Sequence, residues 1–585
     1  MPALKNFFAH TMLCAATVSF ALLGGGSAHA ETEKDKEKNA QAVTVFHNLN
    51  GYTFSGEPGE NAVLKTFQVL AVKDGRVVAI GDEELLEELV IDRRYDLRGR
   101  TVLPGLIDSH GHILSLGSNL IQVDLRDLTS RTHAVAAVAN YAHAHQDLNW
   151  ILGRGWNQEL WPDRRFPSRN DLDEVISDRP VWLVRVDAHA GWANSKALEL
   201  AGINKDTIDP PGGQIIRDSE GNPTGVLIDT AMQLVQQVMP PVDEEQLVES
   251  AKLAFAHILE LGITQVHDAG VNARELALFK RLAENDELPV RLHSLIAASE
   301  PALPELVAAG PYRSDNDRLQ VRGVKVYGDG ALGSRGAALI EPYSDDEENT
   351  GLLVTPEEQV KAIFELVHNH GFQINYHAIG DYTNRLALDE FSALLAEEIG
   401  ADDTLSTWKN DPRHRVEHAQ IVRVEDIPRF LELGIIPSMQ PTHATSDMNM
   451  AEDRVGSERI AGAYAWRTFL DQGSLIAAGS DFPVELANPF YGIHAAVTRQ
   501  DRENQPVEGW YPEQRMTVHE AIRSFTIDAA YAGHFDDVTG TLEAGKWADF
   551  IIVDQDPFAI DASDLWRIRV LHTFVGGDHS YRRQP

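Results

Sequence analysis

The sequence predicts an α/β protein: a (β/α)8 TIM barrel with a small β-sandwich built from both termini and a large insertion after the first barrel strand. Three observations support this fold class: a recurring helix–glycine–strand step, eight short apolar strands, and alternating apolar and polar residues at both flanks. With 585 residues, of which 43% are apolar, the chain can bury a large core. A barrel of this class commonly exceeds the usual domain length of roughly 150 residues.

The helix–glycine–strand step is clearest in the second half of the chain. Residues 249–261 have the pattern of a helix that stops at Gly262, before an apolar strand, and the step recurs at Gly371, Gly434 and Gly473. Glycine after a helix and before a short buried strand is typical of a parallel sheet. A doubly wound sheet is the alternative, but no glycine-rich phosphate turn follows the first strand. The eight candidate strands end near His112, Asp268, Ile296, Tyr327, His377, His418, Gln440 and Asp481.

The remaining segments flank or interrupt this barrel, which we assign to residues 101–539. Residues 121–248 form the insertion, with a strand at 181–184 and a hairpin near 220–222. A loop of this length needs its own structure, and from the C-terminal rim of a barrel it would overhang the active site. Residues 43–100 and 540–585 are expected to pair into the β-sandwich.

The N-terminus has the pattern of an export signal. A lysine, an apolar run and a small-residue site ending at Ala30 predict a signal peptide over 1–30, followed by a flexible linker over 31–42. The apolar run is too short to cross a bilayer, which needs about 20 apolar residues. Cys14, the only cysteine, lies inside this segment, so the mature chain has no thiol to bind a metal. We expect an exported, periplasmic protein.

The charge balance argues against two classes of partner. Asp and Glu number 88 and Lys and Arg 51, which gives a formal net charge of −37. Such an acidic surface repels phosphate backbones and anionic lipid headgroups, so neither nucleic acid nor a membrane surface is an expected partner. We expect a small-molecule substrate, and the composition leaves a homo-oligomer open.

Residues 102–112 (VLPGLIDSHGH) are the sharpest local signal. An apolar strand ends in His110 and His112, which the two-residue period of a strand places on the same face. Two imidazoles side by side suit a borderline divalent metal such as zinc. Alone this motif is weak, because a chain with 23 histidines contains such pairs by chance.

Four later strands also carry an ionisable residue where they end. These are Lys325, His377, His418 and Asp481. The C-terminal ends of barrel strands are where this fold places catalytic residues. Lys325 lies on an apolar strand that does not tolerate an unpaired ammonium group, which indicates a special role. The ordered set, with the histidine pair, therefore predicts one metal site at the barrel mouth.

This ordered set resembles the amidohydrolase superfamily, and more closely its YtcJ-like branch, which includes N-substituted formamide deformylase. The resemblance extends from about residue 43 to 558 and also includes GRGWN (153–157), DAH (187–189) with Asn194 and Ser195, DGALGSR (329–335) and GTLEAGKWAD (540–549). It implies a (β/α)8 barrel beside a small β-sandwich, in agreement with the fold predicted above.

The resemblance also implies a role for each residue of the set. His110 and His112 are expected to bind the first metal, and His377 and His418 the second. Lys325 matches the family's lysine that CO2 carboxylates, so its carbamate would bridge two zinc ions. Asp481 matches the aspartate that contacts the first metal and acts as general base, then general acid, for a metal-bridging hydroxide.

The resemblance implies amide hydrolysis rather than deamination, because mononuclear deaminases have a glutamate where this chain has Gly380 and lack the lysine found here as Lys325. We therefore expect a metal-dependent hydrolase of C–N bonds other than peptide bonds, in linear or cyclic N-acyl or N-formyl amides. A phosphotriester or lactone hydrolase is the near alternative. A catalytically silent binding or regulatory protein on the same scaffold is the more distant one.

Other residues are candidates for substrate binding or support. His189 is expected to donate a hydrogen bond to the substrate carbonyl, while Trp156 and Trp192 line an apolar pocket or else simply fold the insertion. His267 and Asp268 end the second strand, where they could orient a ligand imidazole.

Overall fold

The computed structural model describes residues 42–398 and 411–584. The predicted signal peptide lies outside this part of the chain, as does the predicted linker except for Ala42. Eight parallel strands, called barrel strands 1 to 8, lie side by side in chain order. They are Leu106–Gly111, Ile263–Val271, Arg291–Ala297, Leu319–Tyr327, Gln373–Ala378, Arg415–His418, Ile436–Met439 and Ala477–Ala478, and a short strand at Tyr312–Arg313 pairs with strand 4.

The barrel closes between its first strand and the segment that follows its last. A parallel bridge joins Gly111 to Phe482, and the amide of Asp481 donates to the carbonyl of His110 at 2.7 Å. Each predicted strand end lies within three residues of the observed one. The (β/α)8 barrel predicted from the sequence is therefore confirmed.

Helices cover the barrel. In Glu244–Glu260 the side chain of Asp243 caps the amide of Gln246, and the apolar face packs inward until Gly262 turns the chain at φ +83° into strand 2. The other helices around the barrel are Ile113–Asn119, Ala273–Glu284, Leu303–Ala308, Glu357–Asn369, Asp381–Glu398, Ile427–Glu432, Pro441–Asp447, Ala451–Arg459, Trp466–Asp471, Pro489–Thr498, Val518–Ser524 and Ile527–Ala532. Among the described residues, no helix combines the length and the apolar character needed to span a membrane.

The insertion forms its own layer of sheet and helices. Its strands are Val123–Asp124, Ile151–Trp156, Val181–Arg185, Ala190–Ala193, Gly213–Arg217 and Pro223–Asp229, and its helices are Arg131–Ala144, Arg169–Asp173, Ser195–Leu200 and Gln233–Gln236. The last two strands form the predicted hairpin, closed by a hydrogen bond from the amide of Asp218 to the carbonyl of Asn222 at 2.9 Å.

Strands from both ends of the described chain combine into one seven-stranded sheet. They are Val43–Ser55, Val63–Lys73, Arg76–Gly81, Ile91–Pro104, Phe550–Val553, Val570–Val575 and Asp578–Arg582. The predicted sandwich thus takes the form of a single continuous sheet, in which Phe46 packs 5.0 Å from Phe550 and 5.3 Å from Phe574. A buried ion pair of 2.7 Å between Arg291 Nε and Asp549 Oδ2 ties this sheet to the barrel.

Short 3-10 helices occur in the connecting segments. They span Gly59–Asn61, Glu83–Glu87, Gln158–Leu160, Thr230–Met232, Ile460–Gly462, Pro512–Gln514 and Ala562–Arg567.

Candidate metal centre

Six side chains converge at the C-terminal mouth of the barrel. Donor atoms of His110, His418 and Asp481 lie within 4.8 Å of one another, and all three residues are buried. His112 Nε2 is 3.1 Å from Asp481 Oδ1, and Lys325 Nζ is 3.0 Å from His110 Nε2. The rings of His377 and His418 are 4.5 Å apart. The structure therefore brings together the whole predicted metal set: His110, His112, Lys325, His377, His418 and Asp481.

A buried charge network orients His110. Its Nδ1–H donates to Glu417 Oε2 at 2.5 Å, which leaves Nε2 free to face the other donors. Arg415 Nη2 donates to the same carboxylate at 2.9 Å, and Arg415 Nη1 lies 2.7 Å from Nδ1 of His267. Burial alone would raise the pKa of Glu417, but Arg415 and His110 outweigh it and hold that pKa far below its usual range. Glu417 is therefore a buried carboxylate.

The imidazole of His418 is fixed through its other nitrogen. Its Nδ1 donates to Gln440 Oε1 at 2.8 Å, so Nε2 remains available as a ligand. Its φ of +73° is in the left-handed region, which is unusual for a residue with a side chain. This turn lets consecutive residues Glu417 and His418 both face the barrel mouth, although strand alternation would place them on opposite faces.

His377 faces a second buried carboxyl group. Its Nε2 lies 3.5 Å from Asp329 Oδ1. Asp329 accepts the amides of Ala338, Ile379 and Gly380 at 2.9, 3.0 and 2.8 Å, and burial raises its pKa to about 7. A Cβ at position 380 would lie 1.9 Å from the carbonyl oxygen of Ala338, so the backbone itself leaves no room there for the glutamate of a deaminase.

Two carboxylates support the backbone of the metal ligands. Asp108 accepts Ser480 Oγ at 2.6 Å and the amide of His110 at 3.1 Å, which joins barrel strand 1 to the loop carrying Asp481. Asp268 accepts the amide of Ile113, directly after His112, at 2.9 Å. The sequence analysis suggested that His267 and Asp268 could orient a ligand imidazole. In the structure Asp268 binds the backbone next to His112, and His267 contacts Arg415, which in turn binds the Glu417 carboxylate that accepts from His110.

The electrostatics of the site favour a divalent cation. Burial lowers the pKa of His110 to about 4, and burial also lowers the pKa of His377 and His418, so the three imidazoles are neutral donors at pH 7. Burial alone would raise the pKa of Asp481, but the hydrogen bond from His112 and the nearby histidines hold it well below its usual range. Neutral imidazoles with a carboxylate are a donor set that fits zinc.

Two cavities meet at this site, one of about 790 Å³ and one of about 370 Å³. Both are lined by His377, His418 and Asp481, and by His189 of the insertion. His189 Nδ1 lies 2.6 Å from Asp229 Oδ1, and its ring lies 5.3 Å from that of His377. The structure thus places His189 beside the metal ligands, where a substrate would lie.

The two predicted pocket tryptophans lie elsewhere. Trp156 and Trp192 are 1% and 0% exposed and pack 6.2 Å apart in the core of the insertion. Their indole N–H groups donate to the carbonyls of Leu183 and Ser168 at 2.9 and 2.8 Å. Neither residue lines either cavity, because the insertion needs a core of its own. Their prediction as substrate-binding residues is therefore corrected.

His443 is a site residue that the sequence analysis missed. It lies on the helix Pro441–Asp447, which follows barrel strand 7, and its Nε2 is 3.6 Å from Asp481 Oδ2. This nitrogen is buried and has no hydrogen-bond partner among the described residues. Its position three residues after the strand-7 end at Gln440 was the available signal.

Comparisons with known proteins agree with this geometry. Residues 93–581 match the amidohydrolase family. YtcJ of Bacillus subtilis (strain 168), which carries the name of an amidohydrolase, is 31% identical over 88% of this chain and 96% of its own length. Protein LONG AFTER FAR-RED 3 of Arabidopsis thaliana is 33% identical, with 88% of each chain covered.

An enzyme and a solved structure extend the comparison. N-substituted formamide deformylase of Arthrobacter pascens is 27% identical over 88% of this chain and 95% of its own. The crystal structure of an uncharacterized metal-dependent hydrolase from Pyrococcus horikoshii OT3 has a TM-score of 0.69 and 28% identity, and covers 89% of this chain and 99% of that one. The barrel, the six side chains that converge at its mouth and the match over residues 93–581 lead to one conclusion: this chain belongs to the amidohydrolase family of metal-dependent hydrolases.

Proposed function

We propose that the protein hydrolyses C–N bonds other than peptide bonds, in N-acyl or N-formyl amides. The observation that carries this proposal is the convergence of six side chains from five strand ends, with donor atoms of His110, His418 and Asp481 within 4.8 Å of one another. The similarity to N-substituted formamide deformylase supports amides as the substrate class. Gly380, where a deaminase would carry its glutamate, argues against ring deamination.

In this proposal the four histidines and Asp481 would hold two zinc ions, and Lys325, once carboxylated, would supply a further anionic ligand to both. A divalent metal at this position would polarise a water molecule and the substrate carbonyl. Burial lowers the pKa of Lys325 to about 8, so a larger fraction of this amine is neutral at pH 7 than of an ordinary lysine. The neutral amine can attack CO2, forming an N–C bond and releasing one proton as the carbamate anion forms.

The remaining steps fall to the chain's own residues. Asp481 is a carboxylate at neutral pH, so it can accept the proton of the attacking water and then deliver it to the nitrogen of the leaving amine. His189, held by Asp229 at 2.6 Å, is in position to donate a hydrogen bond to the carbonyl oxygen. The two cavities would hold the substituents on either side of the scissile bond.

The first test is elemental analysis of the protein as purified, together with a screen of N-formyl and N-acetyl amides. About two zinc ions per chain and turnover of an amide are the expected result. One ion would overturn the bridged site and leave Lys325 unmodified. A ¹³C NMR spectrum after exchange with ¹³C-bicarbonate should show a carbamate signal in the wild type and none in Lys325→Met.

The alternatives give different results in the same experiments. A phosphotriester or lactone hydrolase would bind the metals but cleave esters in preference to amides. A catalytically silent binding protein would hold no metal even after soaking with Zn²⁺ and bicarbonate. All six metal-ligating positions are present in the sequence, which favours an active enzyme.

A further inference from the structure

Arg154 presents a guanidinium group to the metal centre. It lies on the insertion strand Ile151–Trp156, between Gly153 and Gly155. A Cβ at Gly153 would meet Val123 Cγ1 at 2.2 Å, and one at Gly155 would meet Arg126 Cγ at 2.5 Å. These glycines therefore let one face of the strand pack closely on the segment 123–126. Arg154 leaves the opposite face and lines the cavity of about 370 Å³, together with Lys325 and Asp481.

Among the described residues, this guanidinium forms no ion pair with a carboxylate. Arg154 Nη2 donates to the carbonyl of Val186 at 3.1 Å, and its buried Nε has no hydrogen-bond partner in the described part of the chain. The other arginines of the two cavities are paired with acids. Arg185 contacts Asp187 at 2.5 Å, Arg126 contacts Asp124 at 2.6 Å, and Arg502 lies 3.7 Å from Asp127.

A guanidinium that lines the cavity without an ion-pair partner is a candidate binding group for an anion. Burial lowers the pKa of Arg154 to about 10, although Asp481 and Asp187 partly offset this effect, so the group is charged at neutral pH. The rest of the molecule opposes anions, because the formal net charge is −37. A local guanidinium is therefore what an anionic ligand would need in order to bind here. Its planar fork of N–H donors matches a carboxylate.

We propose that Arg154 binds a carboxylate of the substrate, so that the preferred substrates are N-acylated amino acids and related amides with one anionic group. This inference rests on the proposed amide hydrolysis. The carboxylate would occupy the cavity of about 370 Å³, and the substituent across the scissile bond would enter the cavity of about 790 Å³. The two cavities meet at His189 and Asp481, where the reacting carbonyl would lie. A single guanidinium suits one negative charge better than a phosphate.

The test compares two amides that differ only by the carboxylate: N-acetyl-leucine and N-(3-methylbutyl)acetamide. The wild type should show the higher kcat/KM for N-acetyl-leucine. Arg154→Met should lose about 10- to 100-fold on that substrate and change less than about twofold on the neutral amide. Arg154→Lys should restore part of the preference. Arg281→Met, the same change at an exposed arginine that pairs with Glu244 at 2.7 Å and lines neither cavity, should alter neither substrate by more than about twofold.

Binding separates this inference from the proposed function. In the Asp481→Asn background, calorimetry should show about 10-fold or greater weakening of N-acetyl-leucine binding when Arg154→Met is added. If that weakening occurs but the wild type hydrolyses no amide, Arg154 binds a carboxylate as proposed, and the proposed amide hydrolysis is wrong. If neutral and carboxylated amides are hydrolysed equally well, and Arg154→Met affects both alike, the reaction stands and the carboxylate site is wrong.

Discussion

The insertion core and the barrel mouth are both buried, but their polar atoms are treated in opposite ways. In the insertion, the rings of Trp156, Trp161 and Trp192 pack 6.2 to 6.4 Å apart, and each indole N–H donates to a backbone carbonyl at 2.8 to 3.1 Å. At the barrel mouth, the Nε2 atoms of His377 and His443 are buried and have no hydrogen-bond partner among the residues that the structure describes. Burial alone therefore does not distinguish these two regions: the tryptophan N–H groups of the insertion core are all hydrogen-bonded, whereas these two imidazole nitrogens are not.

The largest expected effect is at Asp481. Asp481→Asn should lower kcat by about 10²- to 10⁴-fold, because an amide cannot accept the proton of the attacking water. The protein should still bind metal, since the histidine donors remain. Kinetics and elemental analysis on the same preparation measure both quantities. Asp453→Asn, at an exposed aspartate, is the control and should leave both unchanged. If Asp481→Asn is as active as the wild type, the proposed mechanism is wrong. The contrast between the barrel mouth and the insertion core would then not identify the active site.

The second effect concerns Glu417 and measures how much stability is lost when a buried arginine loses its counter-ion. Glu417→Gln leaves Arg415 without its buried counter-ion and removes the acceptor that orients His110. The free energy of unfolding should fall by about 3–5 kcal/mol, and zinc affinity by about 10- to 100-fold. Denaturant unfolding and competition with a chromogenic chelator give these values.

The matched change at an exposed ion pair is Glu365→Gln, opposite Lys361 at 3.9 Å. It should cost less than about 0.5 kcal/mol. Similar losses in the two variants would contradict the role of Glu417 as the buried support of the site.

The third effect tests the insertion. Trp192→Phe removes the hydrogen bond to the Ser168 carbonyl but keeps most of the apolar volume, so unfolding should be easier by about 1–3 kcal/mol. Because Trp192 lines neither cavity, kcat/KM should change less than about twofold. If KM changes greatly while stability does not, Trp192 contacts the substrate, and its assignment to the insertion core alone is wrong.

The smallest effect lies where the two regions meet. Burial alone would lower the pKa of His189, but the charge and hydrogen bond of Asp229 outweigh it, so this pKa is raised. The stabilisation from protonated His189 is therefore complete below its unfolded pKa of about 6.5 and is lost as pH rises through the folded value.

Denaturant unfolding of the wild type and Asp229→Asn measures this dependence. Their difference in unfolding free energy should be larger at pH 5.5 than at pH 9. A difference that does not vary with pH would show that His189 is neutral in the fold over this range.

Much of the barrel could be predicted because its signals are local. Glycine after each helix and an apolar run before each polar residue locate the strands, and the fold itself brings their C-terminal ends together. Lys325 stood out because an ammonium on a buried strand requires a special environment. His110, His377 and Asp481 followed from their strand ends in the same way.

The supporting residues could not be predicted, because their roles depend on contacts between distant segments. Glu417 directly precedes His418. Side chains alternate between the two faces of a regular strand, so Glu417 would be expected to point away from the site. The left-handed backbone of His418, with a φ of +73°, interrupts this alternation. Asp108 accepts a hydrogen bond from Ser480, which is far away in the sequence, and no local sequence pattern predicts that contact. The tryptophans were misplaced because large apolar residues suit a pocket wall and a core equally well.

The bond between Asp108 and Ser480 has a consequence for the order in which the molecule assembles. It closes a loop of 372 residues, and forming such a contact first would cost about 5 kcal/mol in chain entropy. Each intervening strand that pairs with its neighbour shortens the effective loop. The entropy cost is therefore lowest when the seam, where barrel strand 1 meets the segment after strand 8, closes last. Because His110, His112 and Asp481 lie at the seam, the six side chains at the barrel mouth come together only when this last contact forms, and we expect hydrolytic activity only from the complete barrel.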